Sequence, residues 1–209
     1  MRGGRPSIRI ASIAAAAALG SVLWAVWTGC AAPTPPPDVV EEVDLARYAG
    51  RWYEIASFPK WFQSGCVASR ATYSLRADGR IDVRNECRDE SFDGALRRAE
   101  GIAWVVDPEE SNARLAVRFF WPFVGDYWIL ELDADYRFAA VGDPARDSLW
   151  ILSRTPAMDP AEYEALLERL AGQDFDLSRL QRTPQPAAWS ARGGTASWIA
   201  WAAATSPRA

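Results

Sequence analysis

Short runs of alternating apolar and polar residues dominate the chain between residues 51 and 154. In residues 71–87 the alternation continues on both sides of Asp78-Gly79, a dipeptide typical of tight hairpin turns. Alternation with a period of two is typical of strands with one buried face, and this hairpin pattern recurs twice further along the chain. The pattern predicts an all-β fold of eight short antiparallel strands, arranged as a barrel or a sandwich.

One helix is predicted after the last strand. Asp159 is a favourable N-cap, Pro160 suits the first helical position, and Glu162 completes a capping box. Gly172 is a stop signal. The apolar residues between these signals recur at helical spacing and form one stripe: Tyr163, Leu166, Leu167 and Leu170. A single helix with one apolar face is expected to pack against the outer surface of the sheet.

The first 29 residues have the layout of a secretory signal, with three arginines before an uncharged apolar run. The alternative is a membrane-spanning anchor, but the run is near the lower length limit for spanning. Thr28, Gly29 and Cys30 resemble the lipobox of bacterial lipoproteins, in which the cysteine is lipidated. Because Ala31 follows the cysteine, the resemblance implies an anchor in the outer membrane, facing the periplasm.

Composition divides the rest of the chain into three parts. Residues 30–42 are rich in proline, which favours an extended tether without a core. Residues 43–184 contain the strands and the helix and are long enough for one domain. Residues 185–209 are rich in alanine and tryptophan without a clear period, and we interpret them as a disordered tail; a second membrane contact is the alternative.

The chain contains no histidine and has a net charge of −4, which becomes −7 without the three arginines of the signal. An acidic domain is a poor match for nucleic acid, whose binding depends on phosphate contacts. The lack of histidine removes the commonest general base and the commonest zinc ligand. No nucleic acid, metal, cofactor or catalytic residue is therefore predicted.

Several segments resemble the signatures of the lipocalin family, in the family's order along the chain. The first is GRWYEIASFP at residues 50–59 and the last is LWILSRTP at residues 149–156, with ATYSLRADG, NEC and DADYRFAAVG between them. The resemblance covers roughly residues 43–181. It implies an eight-stranded antiparallel up-and-down β-barrel that encloses a calyx, with the C-terminal helix packed on the outside.

The resemblance also implies a closed floor for the barrel. It places Gly50 and Trp52 in the first strand and Arg154 at the end of the last strand, where the guanidinium stacks on the indole. A partly desolvated cation–π pair of this kind contributes about 1–2 kcal/mol. These residues are therefore predicted to be structural and not catalytic.

With Trp52 at the floor, every second connection between strands lies at the open mouth. Two of those three connections are rich in aromatic residues, whereas the turns at the floor are polar. Exposed apolar patches are typical of working surfaces; in the alternative, the aromatic rings fold inward and cap the core. The residues predicted for this rim are Phe58, Trp61, Phe62, Arg97, Arg98, Phe120 and Phe123. The two arginines are either partners for an anionic headgroup or an ordinary solvated pair.

Strand alternation also selects candidates for the inner face of the calyx. An eight-stranded barrel has room for side chains or for one small ligand. A bulge exchanges the two faces of a strand, so each assignment depends on the register. The predicted ligand-binding residues are Tyr73, Trp104, Val117, Phe119, Trp121, Tyr127 and Ile129.

Two cysteines, Cys66 and Cys87, remain once Cys30 is assigned to lipidation. Cysteines in an oxidising compartment usually pair. Folding about the predicted turn places Cys87 opposite residue 70, so a regular ladder would hold the two cysteines too far apart for a bond. A bend beside Gly65 would close the gap, and we predict a disulfide between them.

The family resemblance implies a fatty acid or a lysophospholipid as the ligand, carried by an outer membrane lipoprotein during envelope maintenance. Two alternatives stay open. In the first, the aromatic rim docks on a membrane or on a protein partner, such as a second copy of the chain. In the second, the barrel is an isomerase, which would need Cys66 as a free thiol.

Overall fold

The computed structural model of this chain describes residues 34–186. The predicted signal peptide at residues 1–29, the predicted lipidation site Cys30 and residues 187–209 of the predicted tail lie outside the described residues. Between residues 34 and 186, no helix is both long enough and apolar enough to cross a membrane.

The eight predicted strands are present and close into an antiparallel barrel. Each strand pairs with the one before it in sequence, and β1 closes the barrel by pairing with both β2 and β8. This arrangement confirms the predicted up-and-down barrel. The strands are β1 Gly50–Ser57, β2 Cys66–Leu75, β3 Ile81–Asp89, β4 Leu96–Asp107, β5 Ser111–Phe120, β6 Phe123–Leu132, β7 Phe138–Gly142 and β8 Leu149–Ser153.

Two apolar clusters stabilise the barrel, one on each side of its wall. The interior cluster includes Trp52, Leu115 and Ile129, which are almost completely buried. The exterior cluster lies between the wall and the C-terminal helix and includes Phe58 and Leu166. Burial of apolar area on both faces explains why the strands on the helix side, such as β7, contain no polar alternation.

The predicted helix α2, Pro160–Gly172, is confirmed and packs on the outside of the barrel. The carboxylate of Asp159 accepts hydrogen bonds from the amides of Ala161 and Glu162, as an N-cap does. The carboxylate of Glu162 does not complete the capping box but accepts a hydrogen bond of 2.6 Å from Arg137. The residues that α2 buries belong to the predicted stripe: Tyr163, Leu166 and Leu170.

The proline-rich segment contributes to the packing, which differs from the tether predicted at residues 30–42. Pro37 is fully buried, and the amide of Val40 donates to the carbonyl of Ile129 in β6 (3.0 Å). An extended proline segment has no hydrogen bonds of its own, so its apolar rings are free to cover an apolar wall. From Pro35 onward the segment therefore packs as part of the domain.

A short ninth strand, which the sequence did not predict, completes the wall. β1 and β2 pair only through Gly50–Tyr53, so the strands separate towards the other end of the barrel. Strand β9, Gln181–Arg182, pairs with β1, and the carbonyl of Pro184 then accepts a hydrogen bond from the amide of Ala68 in β2. This segment bridges the two strands and seals the gap between them.

Gln185 belongs to this seal and not to the predicted tail at residues 185–209. Its side-chain nitrogen donates to the carbonyls of Glu54 in β1 (2.9 Å) and Ser69 in β2 (3.0 Å). A strand of two residues is too short to show an alternation, so no pattern in the sequence predicts it.

Candidate functional site

One end of the barrel is closed by an arginine stacked on a tryptophan. The guanidinium carbon of Arg154 lies 3.8 Å from the centre of the Trp52 ring. The indole nitrogen of Trp52 donates to the carbonyl of Tyr48 (2.8 Å). The guanidinium nitrogens donate to five backbone carbonyls, those of Arg47, Tyr48, Ala49, Arg51 and Tyr136. Arg154 thereby ties the segment before β1 to the turn before β7.

Gly50 lies beside this arginine in a conformation that favours glycine. Its φ is +98°, and a Cβ atom there would lie 3.2 Å from Nη1 of Arg154. A side chain at this position would therefore be strained and would crowd the guanidinium.

Beyond the floor, the barrel interior contains a cavity. Its empty volume is about 240 Å³, part of which opens to solvent. The residues around it come from α1 (Leu45–Tyr48) and from the five strands β2 to β6 and are mainly apolar: Tyr48, Tyr73, Ile81, Val83, Ala103, Leu115 and Tyr127.

Three tyrosine hydroxyls form a chain of hydrogen bonds on the cavity wall. The hydroxyl oxygens of Tyr48 and Tyr127 are 2.7 Å apart, and Tyr127 donates to Tyr73 at 2.9 Å. Burial raises the pKa of Tyr73 to about 12 and raises the pKa values of Tyr48 and Tyr127 well above 10.0. All three phenols therefore remain neutral at physiological pH.

A buried carboxylate, Glu54, lies further along β1 and is satisfied by neutral donors. Its oxygens accept hydrogen bonds from Ser57 (3.1 Å), Gln63 (2.8 Å) and Thr183 (2.6 Å). Its charge contributes to the raised pKa of Tyr73, after burial itself. Throughout residues 34–186, acidic and cysteine side chains form no group of three or more that could hold a metal ion.

Five of the seven predicted ligand-binding residues contribute to the interior. Tyr73 and Tyr127 line the cavity. Ile129 is buried in the interior cluster, and Val117 and Phe119 pack against it. Phe119 lies over Gly101, where a Cβ atom would come within 2.9 Å of the Phe119 ring.

Trp104 lies on the outer face of β4, so the inward orientation predicted for it is wrong. Its neighbour Ala103 is buried and lines the cavity, and adjacent residues of a strand point to opposite faces. The guanidinium of Arg118 lies over the Trp104 ring at 5.8 Å. The prediction followed the bulkiest residues of β4, whereas the small residues of this strand face the cavity.

Trp121 lies at the tip of the β5–β6 connection and is 83% exposed, so it does not line the cavity described above. The rim aromatics around it are also exposed, which differs from the alternative in which they fold inward. Trp61 is 85% exposed, and Phe62, Phe120 and Phe123 each expose about half or more of their surface. The β1–β2 and β5–β6 connections therefore each present apolar side chains to solvent, and together we call these the aromatic rim: Trp61, Phe62, Phe120, Trp121, Phe123 and Val124.

Phe58 does not belong to the aromatic rim, contrary to the prediction. It is fully buried in the exterior cluster, 6.4 Å from the ring of Phe175 and beneath the guanidinium of Arg179. A register irregularity between Glu54 and Ala56 changes the face that β1 presents, which a strict alternation does not anticipate.

Arg97 and Arg98 lie at the mouth but bind protein groups. Arg97 donates to the carbonyls of Phe62 (2.8 Å) and Ser64 (2.7 Å) and so fixes the β1–β2 connection. Arg98 forms an ion pair with Glu86 (2.8 Å), which holds the pKa of that carboxyl below its ordinary value despite partial burial. Both guanidinium groups therefore have a structural role, and the interpretation as headgroup partners lacks support from these contacts.

The disulfide between Cys66 and Cys87 is present and confirms the predicted pairing. A register irregularity between Val67 and Arg70 supplies the bend that the spacing required, with Ala68 at φ 53°. The two Cα atoms are consequently 5.4 Å apart. Because both sulfurs are in the bond, Cys66 offers no free thiol for the isomerase alternative.

Sequence reasoning missed five residues that line the cavity. Three of them lie on inward faces that alternation alone does identify, namely Ile81, Val83 and Leu115. Ala103 is small, so the alternation of large apolar residues in β4 does not point to it. Tyr48 lies in a helix of four residues, which gives no periodic signal.

Residues 43–185 match the family model of the lipocalin-like domain. The chain is 44% identical over 156 residues to temperature-induced lipocalin-1 of Arabidopsis thaliana, covering 71% of this chain and 82% of the relative. It is 41% identical over 159 residues to outer membrane lipoprotein Blc of Escherichia coli strain K12, covering 75% and 89%. Apolipoprotein D of Bos taurus is 32% identical over 160 residues, with 72% and 82% covered.

Solved structures share the same barrel. Insecticyanin from the tobacco hornworm Manduca sexta has a TM-score of 0.58 at 20% identity, covering 74% of this chain and 87% of that one. Lobster apocrustacyanin A1 has a TM-score of 0.55 at 18% identity, covering 73% and 91%. These likenesses concern the fold, whereas the family match spans the whole barrel and its floor. Since the relatives above 30% identity are also covered over most of their own length, the chain belongs to the lipocalin family.

Proposed function

We propose that this lipocalin binds and carries a single-chain lipid, a fatty acid or a lysophospholipid, inside its barrel. The observation that supports the proposal is a cavity with mainly apolar walls inside a closed barrel, at the end of which aromatic side chains are exposed. Burial of an acyl chain contributes roughly 25 cal/mol per Å² of apolar area. The apolar side chains that line the cavity would supply such area to an acyl chain, whose polar end would stay at the mouth.

The proposed location is the outer membrane, with the protein anchored at Cys30 and facing the periplasm. Support comes from the lipobox-like sequence before Cys30 and from the relatives in Escherichia coli and Vibrio cholerae that are named outer membrane lipoproteins. In this setting the protein would carry lipids during maintenance of the envelope. The role is binding and transport, without a chemical step.

Substitution of Ala103 with phenylalanine tests the cavity. The new ring would enter space bounded by Ile81 and Val83, and we expect it to lower the affinity for hexadecanoate more than about tenfold, because the ligand loses the apolar area it would bury. The measurement is native mass spectrometry of residues 31–209, secreted to a bacterial periplasm and purified without detergent. A bound fatty acid or lysophospholipid mass is expected for the wild type and its loss for Ala103→Phe.

The matched control is Trp104→Phe, which changes the neighbouring residue on the outer face and should leave the bound mass in place. Thermal unfolding of each variant shows whether the barrel stays folded. A wild-type protein that has a bare mass, and that gains no mass when lysophospholipid is added, would rule out the carrier function.

The exposure of the aromatic rim supports a second function, in which the mouth docks on a lipid bilayer. Tryptophan and phenylalanine side chains are favoured at the interface between water and lipid. Docking would place the cavity entrance next to the source of the ligand. The same surface would suit a dimer, in which two mouths cover each other.

Removal of two rim side chains separates these possibilities. We expect the double substitution Trp61→Ser and Trp121→Ser to lower partitioning onto vesicles of phosphatidylethanolamine and phosphatidylglycerol by at least roughly tenfold, since each ring buries about 150–250 Å². Val106→Ser removes an exposed apolar side chain at the opposite end of the barrel and should have no effect. Vesicle binding that survives the double substitution would argue against docking through the rim, and a concentration-dependent dimer lost in the same variant would identify a protein interface.

A further inference from the structure

The three tyrosines on the cavity wall contain one more hydrogen-bond donor than they use. Each hydroxyl has one hydrogen, and the chain Tyr48–Tyr127–Tyr73 contains two hydrogen bonds. Tyr127 donates its only hydroxyl hydrogen to Tyr73, so the hydrogen in the bond between Tyr48 and Tyr127 comes from Tyr48. The hydrogen of the Tyr73 hydroxyl is then left over, and no further acceptor for it is found among residues 34–186.

The unused donor is buried and borders the cavity. Tyr73 is only 6% exposed, and its ring packs between Tyr48 (5.6 Å between centroids) and Tyr127 (5.9 Å). A buried donor without an acceptor costs about 1–3 kcal/mol. A ligand acceptor atom that enters the cavity would accept a hydrogen bond from the Tyr73 hydroxyl and remove this cost. A methyl group in the same place would leave the hydroxyl without an acceptor.

The charges around the cluster favour a neutral acceptor over an anion. The phenols stay protonated because burial raises the pKa of Tyr73, while the charges of Glu54 and Arg154 act on that pKa in opposite directions. Arg154, the cation that acts on Tyr48 and Tyr73, is stacked on Trp52 and already donates its hydrogens to backbone carbonyls. A carboxylate placed at the inner end of the cavity would therefore be desolvated, with the donors of the neighbouring cation already in use.

We propose that the Tyr48–Tyr127–Tyr73 cluster is a specificity site for the buried end of the ligand. It selects apolar ligands that carry a neutral oxygen acceptor, a hydroxyl, keto or aldehyde group, at the end that enters the barrel first. This inference rests on the proposed lipid-carrier function and adds to it the chemistry of the buried end. A ligand with a charged headgroup keeps that group at the mouth.

Two fatty acids of equal length test the proposal. In 16-hydroxyhexadecanoate a hydroxyl group occupies the place of the terminal methyl group of heptadecanoate, and the carboxylate is the same. Displacement of a fluorescent fatty acid from residues 31–209 gives both dissociation constants. We expect the wild type to bind the hydroxy acid at least as tightly, although the hydroxyl makes it the more water-soluble of the two.

In Tyr73→Phe the hydroxy acid should bind roughly tenfold more weakly than in the wild type, the usual value of one hydrogen bond, while heptadecanoate keeps or improves its affinity. Tyr163→Phe makes the same chemical change on α2, outside the barrel, and should alter neither constant. The wild-type comparison needs no variant, so the test survives even if Tyr73→Phe fails to fold.

The outcomes for this inference and for the carrier function are distinct. If neither fatty acid binds the wild type, the carrier function is wrong. If heptadecanoate binds to the wild type and the hydroxy acid binds more weakly, the lipid carrier stands and the hydroxyl cluster selects no acceptor. The same conclusion follows if Tyr73→Phe leaves the ratio of the two constants unchanged.

Discussion

Replacement of Arg154 with methionine is expected to lower the free energy of unfolding by about 3–4 kcal/mol. Five backbone carbonyls would lose their donor, and the face of Trp52 would lose its cation. Methionine preserves the length and much of the volume of the side chain, so the change isolates the guanidinium. Urea denaturation followed by tryptophan fluorescence measures the effect.

Arg154→Lys and Arg51→Met are the matched controls. Lysine keeps the charge but has three donors on one nitrogen, so it cannot reach five carbonyls, and about half of the loss should remain. Arg51 has an exposed side chain on the same floor, and its substitution should cost less than about 0.5 kcal/mol. If Arg154→Met were no more destabilising than Arg51→Met, the floor would be closed by apolar packing alone.

Removal of the disulfide is expected to cost about 3 kcal/mol of stability. The bond joins residues 21 apart in sequence, and a closed loop of that size restricts the unfolded chain. The double substitution Cys66→Ser and Cys87→Ser avoids a free thiol, and its urea midpoint compared with that of the wild type gives the loss. Reduction of the wild type without denaturant should reproduce most of it.

Arg97→Met provides a control at the same end of the barrel. The substitution removes the hydrogen bonds to the carbonyls of Phe62 and Ser64 but leaves the disulfide intact. It should lower the free energy of unfolding by about 1 kcal/mol. If the double cysteine variant lost less than about 1 kcal/mol of unfolding free energy, the bulge in β2 would hold the β1–β2 connection in place without the disulfide.

The eight antiparallel strands and the helix follow from patterns in the sequence, whereas the family resemblance was needed to choose a barrel over a sandwich. Alternation of period two requires one buried face per strand, and eight such strands in series have few arrangements that leave no exposed edge. The signals around α2 are local, since Asp159 caps the amides that directly follow it. Family resemblance pointed to Trp52 and Arg154, which no periodicity would have brought together across 102 residues.

The choice of residues that form the site depends on contacts between strands. Register irregularities in β1 and β2 moved Phe58 to the helix side and brought Cys66 to Cys87, and irregularities of this kind depend on pairing between strands and not on composition. In β4 the small residue faces inward and Trp104 outward, because the space inside the barrel is shared with side chains from the other strands.

The hydroxyl cluster could not be predicted for the same reason. Tyr48, Tyr73 and Tyr127 come from a four-residue helix and two strands that do not pair with each other, and only closure of the barrel brings their oxygens within 3 Å. A sequence records which residues alternate, whereas the distance between residues on opposite walls is set by the way the strands twist and close. The fold therefore follows from local patterns, and the chemistry of the cavity follows from long-range packing.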